Sequence, residues 1–226
     1  MSDNLQERKE ERALIREREQ KNSALCKRLF WFIIAFLVFL SDQISKWAVT
    51  ELLVRPNAMG QTGYNFLDWY NASPMILPYY GVKVTSFFNI VMAWNTGVSF
   101  SMFSEYGGYM PTILVFVALG ITVLFMVWLW RAESNLHGFC YALVIGGALG
   151  NVIDRARYGA VIDFLDFHMM GYHWPAFNIA DMAVVTGISL LIIVSLFFDI
   201  QAKDRYRKQR RKRRAHKNFL LKRFGR

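Results

Sequence analysis

GNVIDRARYGAVIDFLDFHMMGYHWPAFNIAD, residues Gly150–Asp181, is a polar island between two long apolar runs. It holds Asp154, Asp163, Asp166 and Asp181, with Asn151, Arg155 and Asn178 among them. Ionisable groups beside a bilayer are expensive to desolvate and are kept there mainly for function. Asp163 follows one apolar run and Asp181 opens the next. Two carboxylates from different elements that meet at a membrane boundary point to acid–base chemistry on a substrate that itself lies in the membrane.

Working outward, the apolar runs decide the class. The chain is 54% hydrophobic and 16% aromatic over 226 residues, against ~45–50% apolar for a soluble domain even with Gly counted in. Four spans are expected, at about 29–53, 110–130, from 139, and 179–200. The third is short and glycine-rich, with Gly146, Gly147 and Gly150 allowing close helix packing. The predicted fold is an all-α polytopic membrane protein of four transmembrane helices with a small β-containing extracytoplasmic subdomain. The β character comes from residues 83–94, KVTSFFNIVMAW, which partly alternate and predict a short strand pair.

The net charge of +10 comes mostly from the final stretch. The expected organisation is a charged cytoplasmic arm at 1–28, one four-helix membrane domain at 29–200, and a basic cytoplasmic tail at 201–226. By the positive-inside rule both termini and the Arg131 turn are cytoplasmic. The loop at about 54–109 and the island at 151–181 then share the outer face. The tail reads as a topology signal that touches anionic lipid, and nucleic acid is not an expected partner. Cys26 and Cys140 show no CxxC spacing and no expected disulfide.

Two further groups belong with the island. Asp42 and Lys46 lie one helical turn apart in the second half of the first span, as the wall of a polar site. Asn95 and Gly97, in NTGVSFS, combine an amide that donates and accepts with a residue that permits a tight turn. Asp154 next to Arg155 reads first as a structural charge pair, the guanidinium being also able to anchor a backbone carbonyl. Two facing carboxylates share one proton, so that the charged one activates water and the neutral one protonates the substrate. This needs no metal or cofactor. His168 and His173 show no recognised ligand spacing and read as interfacial loop residues. Asp166 could compete with Asp163 but has no evident partner in the sequence.

DQISK, NTGVSFS, GGALGNVIDR, GAVIDF and PAFNIAD occur in this order across the four expected spans. As an ordered set they resemble the bacterial lipoprotein signal peptidases, the type II signal peptidases. The resemblance covers about residues 30–200. It implies a multi-pass inner-membrane aspartic endopeptidase that cuts diacylglyceryl-modified prolipoproteins just before the lipidated cysteine. Asp163 and Asp181 would be the catalytic pair. Asp42, Lys46, Asn95, Gly97, Asn151, Asp154, Arg155 and Asn178 would shape or support the site. The implied partners are prolipoprotein signal peptides, membrane lipids and cyclic lipopeptide inhibitors such as globomycin. The chain departs from the family pattern in a longer 54–86 connection, in Val98 and Ser99, and in its charged ends. The alternatives are a non-enzymatic ion or proton carrier built on the intramembrane charges, or a scaffold using the basic tail.

Overall fold

The computed structural model describes residues 2–97, 109–132 and 134–196. The second half of NTGVSFS, the rest of the connection before the second span, and the basic tail lie outside the described residues. By contacts the chain divides into one unit of Met1–Gly187 and a second of Ile188–Arg226, of which the described part is the end of one helix.

Among the described residues, four helices are long and apolar enough to cross a membrane. The first, α1, is Ser2–Trp47 and carries the charged arm and the first span as one rod. It continues through a π-helical turn, Ala48–Val54, into α2, Arg55–Met59, which Gly60 ends in the left-handed region. The widened turn has a local cause. Thr50 Oγ1 donates to the Lys46 and Trp47 carbonyls, at 2.9 and 3.1 Å, and side-chain bonds of this kind loosen the regular ladder. A short helix α3, Phe66–Asn71, is capped by Asn65, whose side chain accepts from the Asp68 N–H. The expected loop from residue 54 therefore begins as helix and holds a second one.

The helix α4, Met110–Trp130, has 21 residues, about 31 Å at 1.5 Å per residue, enough for a ~30 Å hydrocarbon core. Phe116, Val117 and Val123 are among its many exposed apolar side chains, as expected where lipid is the solvent. The helix α5, Asn135–Tyr158, is the most buried. Both α1 and α4 pack mainly on α5 and little on each other. The last helix, α6, is Ile179–Leu196.

The glycines of α5 are where it meets its neighbours. A Cβ at Gly146 would strike the Ala35 carbonyl of α1, and one at Gly147 the Ala180 carbonyl of α6. A Cβ at Gly150 would lie 2.5 Å from Asp42 Oδ2. Only hydrogen fits at these points.

A four-stranded antiparallel sheet completes the fold, in the order β1 (Gly81–Lys83), β2 (Phe88–Asn95), β3 (Val161–Met169), β4 (Tyr172–His173). The expected strand pair is present as β1 and β2. The other half of the sheet is a finding: the island itself supplies β3 and β4, so the molecule is helix-dominated rather than purely helical. Asn95 pairs with Val161 and Ala93 with Asp163, with a register irregularity between Ile90 and Ala93. One apolar core, with Val49, Val54, Trp69, Leu77, Met92, Ile162 and Phe164, joins the π turn and the 66–77 segment to the sheet. A second, Ala35, Leu129, Ala142 and Ile145, lies among α1, α4 and α5.

The β3–β4 turn is Met170–Gly171, both with positive φ, 52° and 81°. This is the two-residue turn that matches strand twist and favours Asn-Gly. A methionine there costs about 1 kcal/mol or more.

Gly147→Val should force α5 and α6 apart and destabilise by ~1–3 kcal/mol, the usual cost of overpacking. Thermal unfolding in detergent should show it as a lowered midpoint. Gly120→Val, on α4 where an added Cβ meets nothing within 4 Å, should leave the midpoint in place. Equal behaviour of the two variants would refute the close-packing account.

Candidate active site

The site is assembled on a buried ion cluster. Asp42, Lys46 and Asp154 are fully buried. Lys46 Nζ lies 2.7 Å from Asp42 Oδ2 and 2.7 Å from Asp154 Oδ2. The i,i+4 spacing on α1 makes the first contact, and the last turns of α5 bring the second. Gln43 closes the cluster: its Nε2 donates to Asp42 and Asp154, each at 3.2 Å. Each carboxylate also holds backbone. Asp42 Oδ1 accepts the Ala180 N–H at 2.9 Å, and Asp154 Oδ2 accepts the Ile162 N–H at 3.1 Å. The pair expected to wall the site thus stands behind it, fixing the start of α6 and of β3.

Asp154 pairs with Lys46 and not, as its neighbourhood in sequence indicated, with Arg155. One residue along a helix turns the side chain by about 100°, so adjacent charges do not face each other. Arg155 makes no ion pair with Asp154 within 4 Å among the described residues, and lies within electrostatic reach of Asp181 and Asp163 as well as Asp154. Its Nε is buried without a hydrogen-bond partner among the described residues.

Asn178 caps α6, and its spacing to Asp181 forms a reciprocal capping box. The Asp181 N–H donates to Asn178 Oδ1 at 2.9 Å, and the Asn178 N–H donates to Asp181 Oδ2 at 3.3 Å. The same Asn178 reaches the other aspartate, donating from Nδ2 to Asp163 Oδ1 at 2.7 Å. Asn151 Nδ2 donates to Asp181 Oδ1 at 2.7 Å, while its Oδ1 accepts from Asn178 at 3.2 Å and Lys46 at 3.4 Å. Asn95, at the end of β2, donates to Asp163 Oδ2 at 3.0 Å. The Gly97 N–H donates to Asn95 Oδ1 at 2.8 Å, which settles the orientation of that amide. Gly97 has φ 79°, and a Cβ there would strike the Leu114 side chain.

All ten residues singled out in the sequence therefore converge. Asp163 and Asp181 share Asn178; Asn95, Asn151 and Gly97 complete that layer; Asp42, Lys46 and Asp154 lie beneath it. Gln43 and the buried pair Glu51–Arg55 were missed. Glu51 accepts from Arg55 and from the Tyr64 N–H, so it ties the 54–65 segment to α1. The signals were present, since Gln43 is a neutral polar group inside an apolar span and Glu51–Arg55 is another i,i+4 pair.

Asp163 and Asp166 are three apart on β3 and so point to opposite faces. Burial, and then the Asp181 charge, push Asp163 up to about 7, against the hydrogen bonds from Asn95 and Asn178. For Asp166 burial also acts upward. Hydrogen bonds from His173 and Asn89 outweigh it and hold that carboxyl below its ordinary range. His168 and His173 stack on each other at 4.9 Å and belong to this second face. Trp94 packs on Tyr158 at 5.2 Å and donates to the Leu77 carbonyl at 2.9 Å.

The model of a protein family described as signal peptidase (SPase) II matches residues 34–197. A lipoprotein signal peptidase of Cupriavidus necator is 38% identical over 182 residues, 79% of this chain and 90% of that protein. One of Ralstonia nicotianae is 52% identical over 116 residues, 50% of this chain and 66% of that protein. Two solved structures of bacterial membrane enzymes, determined by the in meso method, have TM-scores of 0.54 and 0.52 at 26% and 25% identity. They cover 74% of this chain each, and 87% and 92% of their own chains. With a matching family model over most of its length, a full-length relative and the same membrane fold, the chain belongs to the signal peptidase II family of membrane peptidases.

Proposed function

We propose that this peptidase removes signal peptides from diacylglyceryl-modified prolipoproteins by an aspartic mechanism, with Asp163 and Asp181 as the catalytic pair. The observation that carries this reading is the sharing of Asn178. One residue binds both carboxylates, to Asp163 at 2.7 Å and to Asp181 through its backbone and side chain.

In the reactive form the pair carries one proton, on Asp163. Asp181 takes a proton from water, which attacks the scissile carbonyl, while Asp163 protonates the carbonyl oxygen. Collapse of the tetrahedral adduct returns a proton to the leaving nitrogen and breaks the peptide bond before the lipidated cysteine. Arg155, with a free buried Nε, suits a substrate backbone carbonyl. The remaining polar residues orient the pair and stay unchanged.

By the positive-inside rule, the basic tail and Arg131 support cytoplasmic termini, with the sheet and dyad on the outer face. A signal peptide, itself an apolar helix, presents its cleavage point at that depth. Cyclic lipopeptides such as globomycin would occupy the same cleft. The carrier alternative has no support, since the family is one of peptidases and the buried charges sit at one end of the bundle.

Asp163→Asn and Asp181→Asn should each lower cleavage of a diacylglyceryl-modified prolipoprotein by about a thousandfold or more. Purified variants of unchanged unfolding midpoint are the ones to compare, and normal turnover by either would sink the assignment. The pH profile gives a second check. Asp163 holds its proton below about 7 and loses it above, so kcat/KM should fall roughly tenfold per pH unit on the alkaline side. A profile flat from about 6 to about 9 would contradict an acid role for Asp163.

A further inference from the structure

The β3–β4 hairpin carries apolar side chains that the proposed mechanism does not use. Met169, Met170, Tyr172 and Trp174 are 72, 99, 87 and 69% exposed. No Asp, Glu, Lys or Arg occurs from Phe167 to Ala176. The tip is also where the backbone accepts Met170 at positive φ, although a glycine or asparagine would relieve it. Strain kept at a fully exposed methionine is not explained by folding, and strained positions of this kind mark functional segments.

The tip is braced as a rigid paddle. Phe167 stacks on Phe177 at 5.8 Å and packs on Phe88 at 4.8 Å. The Trp174 N–H donates to the Phe167 carbonyl at 2.8 Å, and His173 is held by Asp166 at 2.9 Å. An open, mostly apolar groove at it is lined by Phe87, Phe167, Met169, Tyr172, Trp174 and Pro175, with His168 and His173. Only five residues separate β4 from Ile179, where a membrane span begins. That span also exposes apolar side chains in its first turns, Met182 and Val185.

We propose that the β3–β4 tip is a membrane anchor that enters the lipid interface beside the first turn of α6. Its occupant is the bilayer itself. This rests on the reading that the sheet lies at the membrane surface. Two residues beyond the His168–His173 pair reach ~7 Å in extended geometry, which fits an immersion of ~5–10 Å at the headgroup–acyl boundary. Tyr172 and Trp174 suit that layer, being apolar in body and polar at the tip. With no fixed charge, the anchor holds by apolar burial and needs no anionic lipid. It fixes the height of β3, and so of Asp163, against the bilayer in which the substrate lies.

The test is nitroxide depth measurement on the full chain in phosphatidylcholine vesicles. A spin label is placed by Met170→Cys, and separately by Tyr172→Cys. Cys26→Ser removes the exposed thiol, and Cys140 is buried. Power saturation compares oxygen, which partitions into lipid, with a water-soluble nickel chelate. Both labels should collide more with oxygen than with nickel, the reverse of a label in water. Added phosphatidylglycerol should leave the depth unchanged. Nickel-dominated collisions would overturn the anchor. So would protection from both reagents, which means a protein partner, or immersion that requires anionic lipid. The readout uses no substrate: an active enzyme with its tip in water refutes the anchor alone, and an inactive one with its tip immersed refutes the peptidase assignment alone.

Discussion

A lysine ammonium with no access to water organises this molecule. Lys46 sits between Asp42 and Asp154, both at 2.7 Å, and all three are fully buried. Such a cluster is a poor source of net stability, because desolvation of the ions offsets much of their attraction. Removing one partner is another matter, since an uncompensated buried charge costs ~3–5 kcal/mol. The cluster therefore acts as a specification. It is satisfied in one arrangement of α1 and α5, and its spare carboxylate oxygens reach the Ala180 and Ile162 N–H groups. The beginning of α6 and the beginning of β3 are thereby placed by the same ions, and these are the elements that carry Asp181 and Asp163.

From there the polarity is handed upward by amides. Asn151 accepts from Lys46 and donates to Asp181; Asn178 links Asn151 to Asp163. Neutral amides are cheaper to bury than charges and offer donors and acceptors at fixed angles. They separate the buried Asp42–Lys46–Asp154 cluster below from the Asp163 and Asp181 carboxylates above. The second acidic face of β3, Asp166 with Asn89 and His173, is turned away from Asp163 by the alternation of the strand.

Much of this was legible in the chain. Four apolar runs announce four spans, and a carboxylate or lysine within such a run announces its own importance; Asp42, Lys46, Asn95, Asn151, Asp154, Asp163, Asn178 and Asp181 lie in one hydrogen-bonded network. The strand β3 was not legible. VIDFLDFHM is buried on both faces at its start, so it lacks a clean alternation, and its partner β2 is some seventy residues away. No local period can report a pairing at that distance. The Asp154–Lys46 contact was hidden for the same reason, and adjacency in the chain pointed to Arg155 in its place. Glu51 and Arg55 straddle the expected end of the first span at residue 53, which the helix in fact crosses through the π turn into α2.

The central position of α5 has a consequence for how the protein is made. The first two spans touch each other little and both pack on the third. During synthesis, α1 and α4 enter the bilayer before the helix that joins them exists. Lys46 spends that interval with Asp42 alone, because Asp154 is encoded roughly a hundred residues later, a wait of ~5–20 s at ribosomal rates. The bundle closes only when α5 arrives, and the carboxylate that completes the ion cluster is carried in at its far end. Asp163 and Asp181 follow later still, on β3 and α6, so a half-made chain lacks the candidate pair.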